Sequence, residues 1–177
     1  MIEVKVIGEE QKADIRLKND PFPLWGKLVP SLKSGVWGYT VEKWPENERK
    51  ELCFPDENYD FDEMKGDYTF VGAYDGGVCV GLAVLKKPFF KYLYVDDLKV
   101  SRDYRRKGVG RLLLEKADEV AKELGYRGLS LTAQDNNLSA CLFYLAVGFR
   151  IGGFDTEVYQ GTNQAEKADI TFYRDGK

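Results

Sequence analysis

The chain has no histidine at any of its 177 positions. That absence removes Ser-His and Cys-His nucleophile pairs and every His-ligated metal centre. Proton transfer is left to Asp, Glu, Tyr, Lys, Cys or water. Cysteine is scarce. Cys53, Cys79 and Cys141 are odd in number and widely spaced, with no Cys-x-x-Cys pair, so they read as core or surface thiols in a cytoplasmic protein. No metal is expected. No apolar run approaches the roughly 20 residues of a membrane span, and the opening "MIEVKVIGEEQKADI" has no secretory pattern. The net charge of -3 offers nucleic acid no electrostatic footprint. With 44% apolar residues and length enough for one ordinary core, the expectation is a single soluble domain, 1–177, with no membrane or nucleic-acid partner.

What is present reads as strands, a helix, a strand, a helix and closing strands. "YTFVGAYDGGVCVGLAVL", from Tyr68, pairs two strands across Asp75-Gly76-Gly77, whose Asp-Gly and Gly-Gly steps supply the positive φ of a tight hairpin. "KYLYVDDLKVS" is a third strand, aromatic and β-branched. From Val109, apolar residues recur at Leu112, Leu113, Ala117, Val120, Ala121 and Leu124, one stripe at helical period, with Gly125 as the stop. "GLSLTAQ" is a buried strand, "NLSACLFYLAVGF" a short helix ended by Gly148, and "FRIGGFDTEVY" and "ADITFYRD" are closing strands. Towards the N-terminus, "MIEVKVIG" is an edge strand. "PFPLWGKLVPSL" is broken by prolines into short helical pieces, and "PDENYDFDEM" is an acidic run. The order predicts a mixed α/β sheet with helices packed on it.

The stretch between the third strand and the long helix carries the chemistry. In "DYRRKGVGRLLLEK", from Asp103, three cations stand against Gly108-Val109-Gly110. Glycine lets a backbone pass close to a ligand, and a helix's first turn offers unpaired N–H groups and partial positive charge. With Arg105, Arg106, Lys107 and Arg111 beside it, the turn suits an anion, and a pyrophosphate fits well. No Gly-Lys-Ser/Thr follows, so it is not a P-loop. A solvated basic turn that merely starts a helix accounts for the same residues.

In the later helix, Asn137, Ala140 and Tyr144 share a face, with Phe143 beside them. A helix cap at Asn137 and core aromatics at Phe143 and Tyr144 explain the same spacing. Taken together, Arg105-x-x-Gly108-x-Gly110, then Asn137-x-x-Ala140-x-x-Phe143-Tyr144 and Gly148-Phe149, resemble the N-acetyltransferase (GNAT) superfamily. "YVDDLKV", "QDNNLSACLFYLAVGFRIGGFDTEVY" and "PFPLWGKLVP" are further similar to its streptothricin (nourseothricin-type) members. The resemblance implies a mostly antiparallel central sheet with a V-shaped splay after the strand near 92–100. It implies a substrate-side region in 1–66 and an acetyl-CoA-binding core in 67–177. The strand backbone at Leu98, Lys99 and Val100 would pair with pantetheine amides. The turn from Arg105 and Arg106 through Lys107, Gly108, Val109 and Gly110 to Arg111 would hold the pyrophosphate. Asn137, with Ala140, would meet the pantetheine arm, and Phe143 would pack on the cofactor.

That implication sets a proton problem. A primary alkylamine has a pKa near ~10.4, so at neutral pH only about one molecule in 10³ to 10⁴ is a nucleophile. Without histidine, the base is a carboxylate or a water held by one. Asp96 and Asp97 stand just before the implied pantetheine-binding residues. In a regular strand they point to opposite faces, so one of them serves as base, unless they are simply satisfied at a strand edge or bulge. By the resemblance, Tyr144 is the proton donor to the departing thiolate. A tyrosine of pKa ~10 protonating a thiolate whose thiol has pKa ~8.5 is uphill by about 2 kcal/mol. Tyr144 must therefore donate as charge develops, or have a lowered pKa. No covalent enzyme intermediate is needed, and Cys141 need not be a nucleophile.

The implied acceptor is a primary amine of a cationic small molecule, streptothricin by the narrower resemblance. The alternatives are another polyamine, an aminoglycoside, a protein amine or, outside catalysis, an acyl-CoA-binding sensor. Asp56, Glu57, Asp60, Asp62 and Glu63 could wall a cation site or form a solvated loop. Trp37, Tyr39 and Trp44 could line that site or lie in the core. A monomer and a homodimer both fit.

Overall fold

The computed structural model of the chain describes residues 1–176. Its strands are β1 (Glu3–Val6), β2 (Phe22–Leu24), β3 (Gly26–Lys33), β4 (Val36–Lys43), β5 (Lys50–Leu52), β6 (Tyr68–Asp75), β7 (Val78–Lys86), β8 (Tyr92–Val100), β9 (Gly128–Gln134), β10 (Arg150–Asp155) and β11 (Asp169–Asp175). The α-helices are α1 (Phe61–Met64), α2 (Val109–Glu123) and α3 (Leu138–Ala146). The architecture is mixed α/β, mostly antiparallel, with helices packed on sheet. The chain gathers into two compact units. One takes Met1–Pro21, Cys53–Leu129 and the residues from Asp175; the other takes Phe22–Leu52 and Ser130–Arg174. The chain passes between the units after residues 21, 52, 129 and 174.

In the first unit, β1, β6, β7 and β8 lie side by side in that order, each pair antiparallel. The hairpin at Asp75-Gly76-Gly77 turns with φ of +56° and +85° at its two glycines. Helix α2 packs on β7, β6, β8 and β1 through buried Val109, Leu113, Leu114, Ala117, Val120 and Ala121. The expected stripe is corrected at two positions. Leu112 is 37% exposed because it lies round the helix from the stripe centred on Ala117, and Leu124 is 46% exposed because it is past the last turn. A second cluster, built on Ile7, Ile15, Phe70, Leu82 and Val84, is packed by Tyr59, Phe61 and Met64. The acidic run therefore contains a helical turn, α1. Asp60 caps it by accepting from the amides of Asp62 and Glu63.

In the second unit, β3 and β4 form a hairpin in continuous register from Gly26↔Lys43 to Lys33↔Val36. Its turn uses φ of +49° at Ser34 and +77° at Gly35. Strands β2 and β5 pair antiparallel, and β11 lies between β9 and β10. The helical pieces expected in "PFPLWGKLVPSL" are absent. Pro30 sits inside β3, a strand of a two-stranded ribbon, so its missing N–H faces no second neighbour. Burial alternates from Gly26 to Pro30, a pattern that the fold sets and the residue types do not show. Strand β10 also ends at Asp155 rather than Tyr159. The Asp155 carboxylate accepts from the amides of Glu157 and Val158 and turns the chain.

Candidate active site

The turn into α2 belongs to the first unit. After β8, the amide of Ser101 donates to Val80 O (2.9 Å), and a single 3-10 turn covers Arg102–Tyr104. Arg106 then takes φ +62° and Gly108 φ +84°. The second value explains the glycine: a side chain there would force a left-handed backbone that L residues resist. Leu112 N donates to Gly108 O (3.1 Å), so the amides of Val109, Gly110 and Arg111 precede that helical bond. Arg106, Lys107, Gly108 and Arg111 are exposed around them. The arrangement fits the pyrophosphate-type anion expected here, with positive charge, outward amides and no Cβ at Gly108. Arg105 is different. Its guanidinium donates to three backbone carbonyls, Val100 O (3.0 Å), Pro21 O (2.6 Å) and Asp20 O (2.9 Å). Its side chain braces the turn against the N-terminal segment.

Strand β8 is irregular where the two aspartates stand. Val84 faces Asp97 and Leu85 faces Val95, so Asp96 is an extra residue in a bulge. The expected regular alternation is corrected: a bulge breaks the two-residue period. Asp96 is exposed, yet the protein around its carboxyl excludes enough water to raise its pKa, against the pull of Lys86. Asp97 is more enclosed, at 17% exposure, and its Oδ2 meets Lys99 Nζ (3.0 Å). The Tyr59 hydroxyl donates to the same oxygen (3.2 Å). Lys99 also ion-pairs with Glu57, which accepts from Asn19 Nδ2 (3.0 Å). The Lys99 side chain, 9% exposed, is thus held between two carboxylates.

These groups shift in ways that follow from that geometry. Burial raises Asp97 above the usual carboxylate range, because the one cation beside it is shared. Lys99 is raised too: burial opposes its charge, but two carboxylates together outweigh burial. Glu57 is also desolvated, yet its bonds from Lys99 and Asn19 hold it below the usual range. Burial, with Asp97 and Glu57 nearby, pushes the Tyr59 phenol well up, so it stays a donor. The result is a carboxylate of raised pKa with its donors fixed in place, a suitable general base. Asp96 and Asp97 were both candidates in the sequence; the contacts of Asp97 with Tyr59 and Lys99 were not legible there. Tyr59 is 38 residues from Asp97, and no spacing rule spans that distance.

The second unit holds the other expected residues. Asn137 caps α3, its Oδ1 accepting from Ala140 N (3.3 Å). Ala140, Phe143 and Tyr144 are half-buried. The Tyr144 ring packs at a tilt against Phe143 (5.5 Å) and Phe172 (5.7 Å) and edge-on against Phe149 (5.7 Å), which fixes its position. Cys141 is buried, and desolvation pushes its thiol up to about 12; it is no nucleophile. Tyr39 is exposed, while Trp37 and Trp44 are half-buried. The acidic run forms no common wall in the first unit. Asp56 holds the Asn19 amide, Asp60 caps α1, and Asp62 pairs with Lys12 and Lys65.

Residues 32–149 match the model of the acetyltransferase (GNAT) family. The chain belongs to that family. Over 160 residues it is 36% identical to streptothricin acetyltransferase A of Bacillus subtilis (strain 168), covering 90% of this chain and 92% of that protein. A crystal structure from Bacillus anthracis str. Ames, of a provisionally named streptothricin acetyltransferase in complex with acetyl coenzyme A, superposes with a TM-score of 0.87. It is 31% identical and covers 100% of this chain and 99% of that one. A nourseothricin acetyltransferase structure shares the fold, with a TM-score of 0.78 at 24% identity over 99% of each chain. As an acetyltransferase, the protein has its sheet mostly antiparallel and its glycine turn at the start of α2. Among the described residues, no cluster of His, Cys, Asp or Glu could hold a metal ion, and no helix is long and apolar enough to cross a membrane.

Proposed function

We propose that this acetyltransferase moves the acetyl group of acetyl-CoA to a primary amine of streptothricin, working in the cytoplasm and conferring resistance to that antibiotic. The observation that carries the reading is the turn opening α2, where left-handed Arg106 and Gly108 present amides and cations to an anion. The B. subtilis relative supports the acceptor, and the acetyl-CoA complex of the B. anthracis relative supports the donor.

In this mechanism the turn from Arg106 to Arg111 holds the pyrophosphate, and the backbone of Leu98, Lys99 and Val100 pairs with pantetheine. Asn137, with Ala140, meets the pantetheine arm, and Phe143 packs on the cofactor. Asp97 removes the proton from the acceptor ammonium, directly or through a water; Asp96 stands at the bulge and is the alternative base. The freed amine attacks the thioester carbonyl and the C–N bond forms; as the tetrahedral intermediate collapses, the C–S bond breaks and Tyr144 gives its proton to the leaving thiolate. The nitrogen's surplus proton passes through solvent to restore Tyr144, and the proton on the base is released to solvent, the one proton the net reaction yields. The test is CoA-thiol release by purified protein with acetyl-CoA, with and without streptothricin. Streptothricin-dependent release is expected, and Tyr144→Phe should lower kcat about 10²-fold or more with little change in either KM. Release that ignores streptothricin but follows another amine refutes the acceptor assignment.

A further inference from the structure

Strand β4, in the second unit, leaves one backbone edge open. The β3–β4 turn has φ of +49° at Ser34 and +77° at Gly35, the positive pair of a type I′ hairpin. In such a hairpin the flanking residues, Lys33 and Val36, exchange backbone hydrogen bonds, and bonded and unbonded pairs then alternate along the ribbon. Leu32↔Trp37, Pro30↔Tyr39 and Leu28↔Val41 are therefore unbonded pairs, with their backbone polar groups turned outward. Two observations fit that phase. Leu28 N donates outward to Asp135 O (3.0 Å), and Pro30, which has no N–H to offer, stands at an outward position. On the β4 side, among the described residues, no hydrogen-bond partner meets the backbone of Trp37, Tyr39 or Val41.

The two edges of the ribbon are guarded differently. On β3 the outward positions carry the Leu28 bond and a proline, which protect an edge. On β4 the run Val36–Val41, VWGYTV, has no charge and no proline, and most of its residues favour strands. Leu32, Trp37, Tyr39 and Val41 share one face of the ribbon, and Leu32, Tyr39 and Val41 are 55%, 47% and 38% exposed. An uncharged open ladder beside an exposed apolar face is a template for another strand. The strand that fits is β4 itself. In an antiparallel pairing about a two-fold axis at Tyr39, outward residues meet: Tyr39 faces the partner's Tyr39, and Trp37 faces the partner's Val41. The apolar faces join, and Val36 faces the partner's Glu42, so no like charges oppose one another.

We propose that β4 is a homodimer interface, through which two copies of this chain pair edge to edge and make one continuous sheet of their ribbons. The inference is independent of the acetyl-transfer reading. Sedimentation equilibrium of the purified chain over a dilution series should show reversible exchange between monomer and dimer. Tyr39→Lys sets two lysines face to face and should raise the dimer Kd at least about tenfold. Val36→Glu, opposite the partner's Glu42, should raise it about threefold. The thermal midpoint of the diluted monomer should hold in that variant, since Lys33 stands across from it in the same chain. Val78→Lys, similarly exposed but outside the ribbon, should leave the Kd unchanged. In a Cys53→Ser background, which removes the exposed native thiol, Tyr39→Cys should form a disulfide-linked dimer on oxidation. Thr40→Cys, which faces the partner's Gly38, should not. Wild type that stays monomeric at every concentration overturns the proposal. So does a dimer that tolerates Tyr39→Lys, or one that crosslinks equally through Thr40→Cys.

Discussion

Two charge clusters in the first unit draw on the same acidic stretch and come to opposite ends. Asp62 joins Lys12, Lys65 and Glu9 in a network whose members are all about half exposed. Glu57, five residues earlier, joins Lys99, Asp97 and Tyr59 where the lysine is 9% exposed. In the first, opposite charges simply pull one another: Asp62 and Glu9 fall, and Lys65 and Lys12 rise. In the second, burial competes with pairing, and Asp97 rises although a lysine touches it. Only the enclosed cluster yields a carboxylate with a pKa moved towards the working pH of a base. The exposed one is surface complementarity, which solvent and salt screen.

The largest effect should come from Asp97→Asn. It removes the proposed base and should cut kcat by about 10²- to 10⁴-fold, with the acid limb of kcat/KM lost; an intact limb would shift the assignment to Asp96. Next is Lys99→Met, which leaves Asp97 and Glu57 facing each other without a cation. Stability should fall by about 3 kcal/mol in urea unfolding. The acid limb should also move to higher pH, because removing a neighbouring cation raises a carboxyl further. The linkage signs are distinct. Asp97, raised on folding, favours the fold below the ordinary carboxylate range and loses that contribution as pH climbs through its folded value. Glu57, lowered, favours the fold above its ordinary range and loses that as pH falls. Glu57→Gln keeps the Asp97–Lys99 pair, so its effect should be smaller, about 1 kcal/mol, with a modest drop in kcat. Asp62→Ala should leave both the thermal midpoint and turnover unchanged within error. A large loss there would erase the distinction between the two clusters.

Legibility followed the range of the forces involved. The stripe of α2, the glycine hairpin at Asp75–Gly77 and the turn at Gly108 were readable because each depends on residues within a few positions. The β3–β4 ribbon was misread because Pro30 was weighed as a helix breaker, while Ser34-Gly35 forms the turn of a hairpin. A bulge at Asp96 and Asp97 was only an alternative in the sequence, and the register between β7 and β8 decides it. So was the bracing role of Arg105, whose side-chain contacts at Pro21 and Asp20 lie 84 and 85 residues away.

By itself the sequence determined the chemistry on offer: no histidine, so proton transfer is left to carboxylates, Tyr, Lys, Cys or water, and a cationic glycine turn suited to an anion. Local backbone preferences and residue type suffice for that. The tertiary structure alone decided which carboxylate is enclosed and what Lys99 pairs with. Burial and pairing arise from contacts between residues tens of positions apart, and those exist only once the chain has closed its loops.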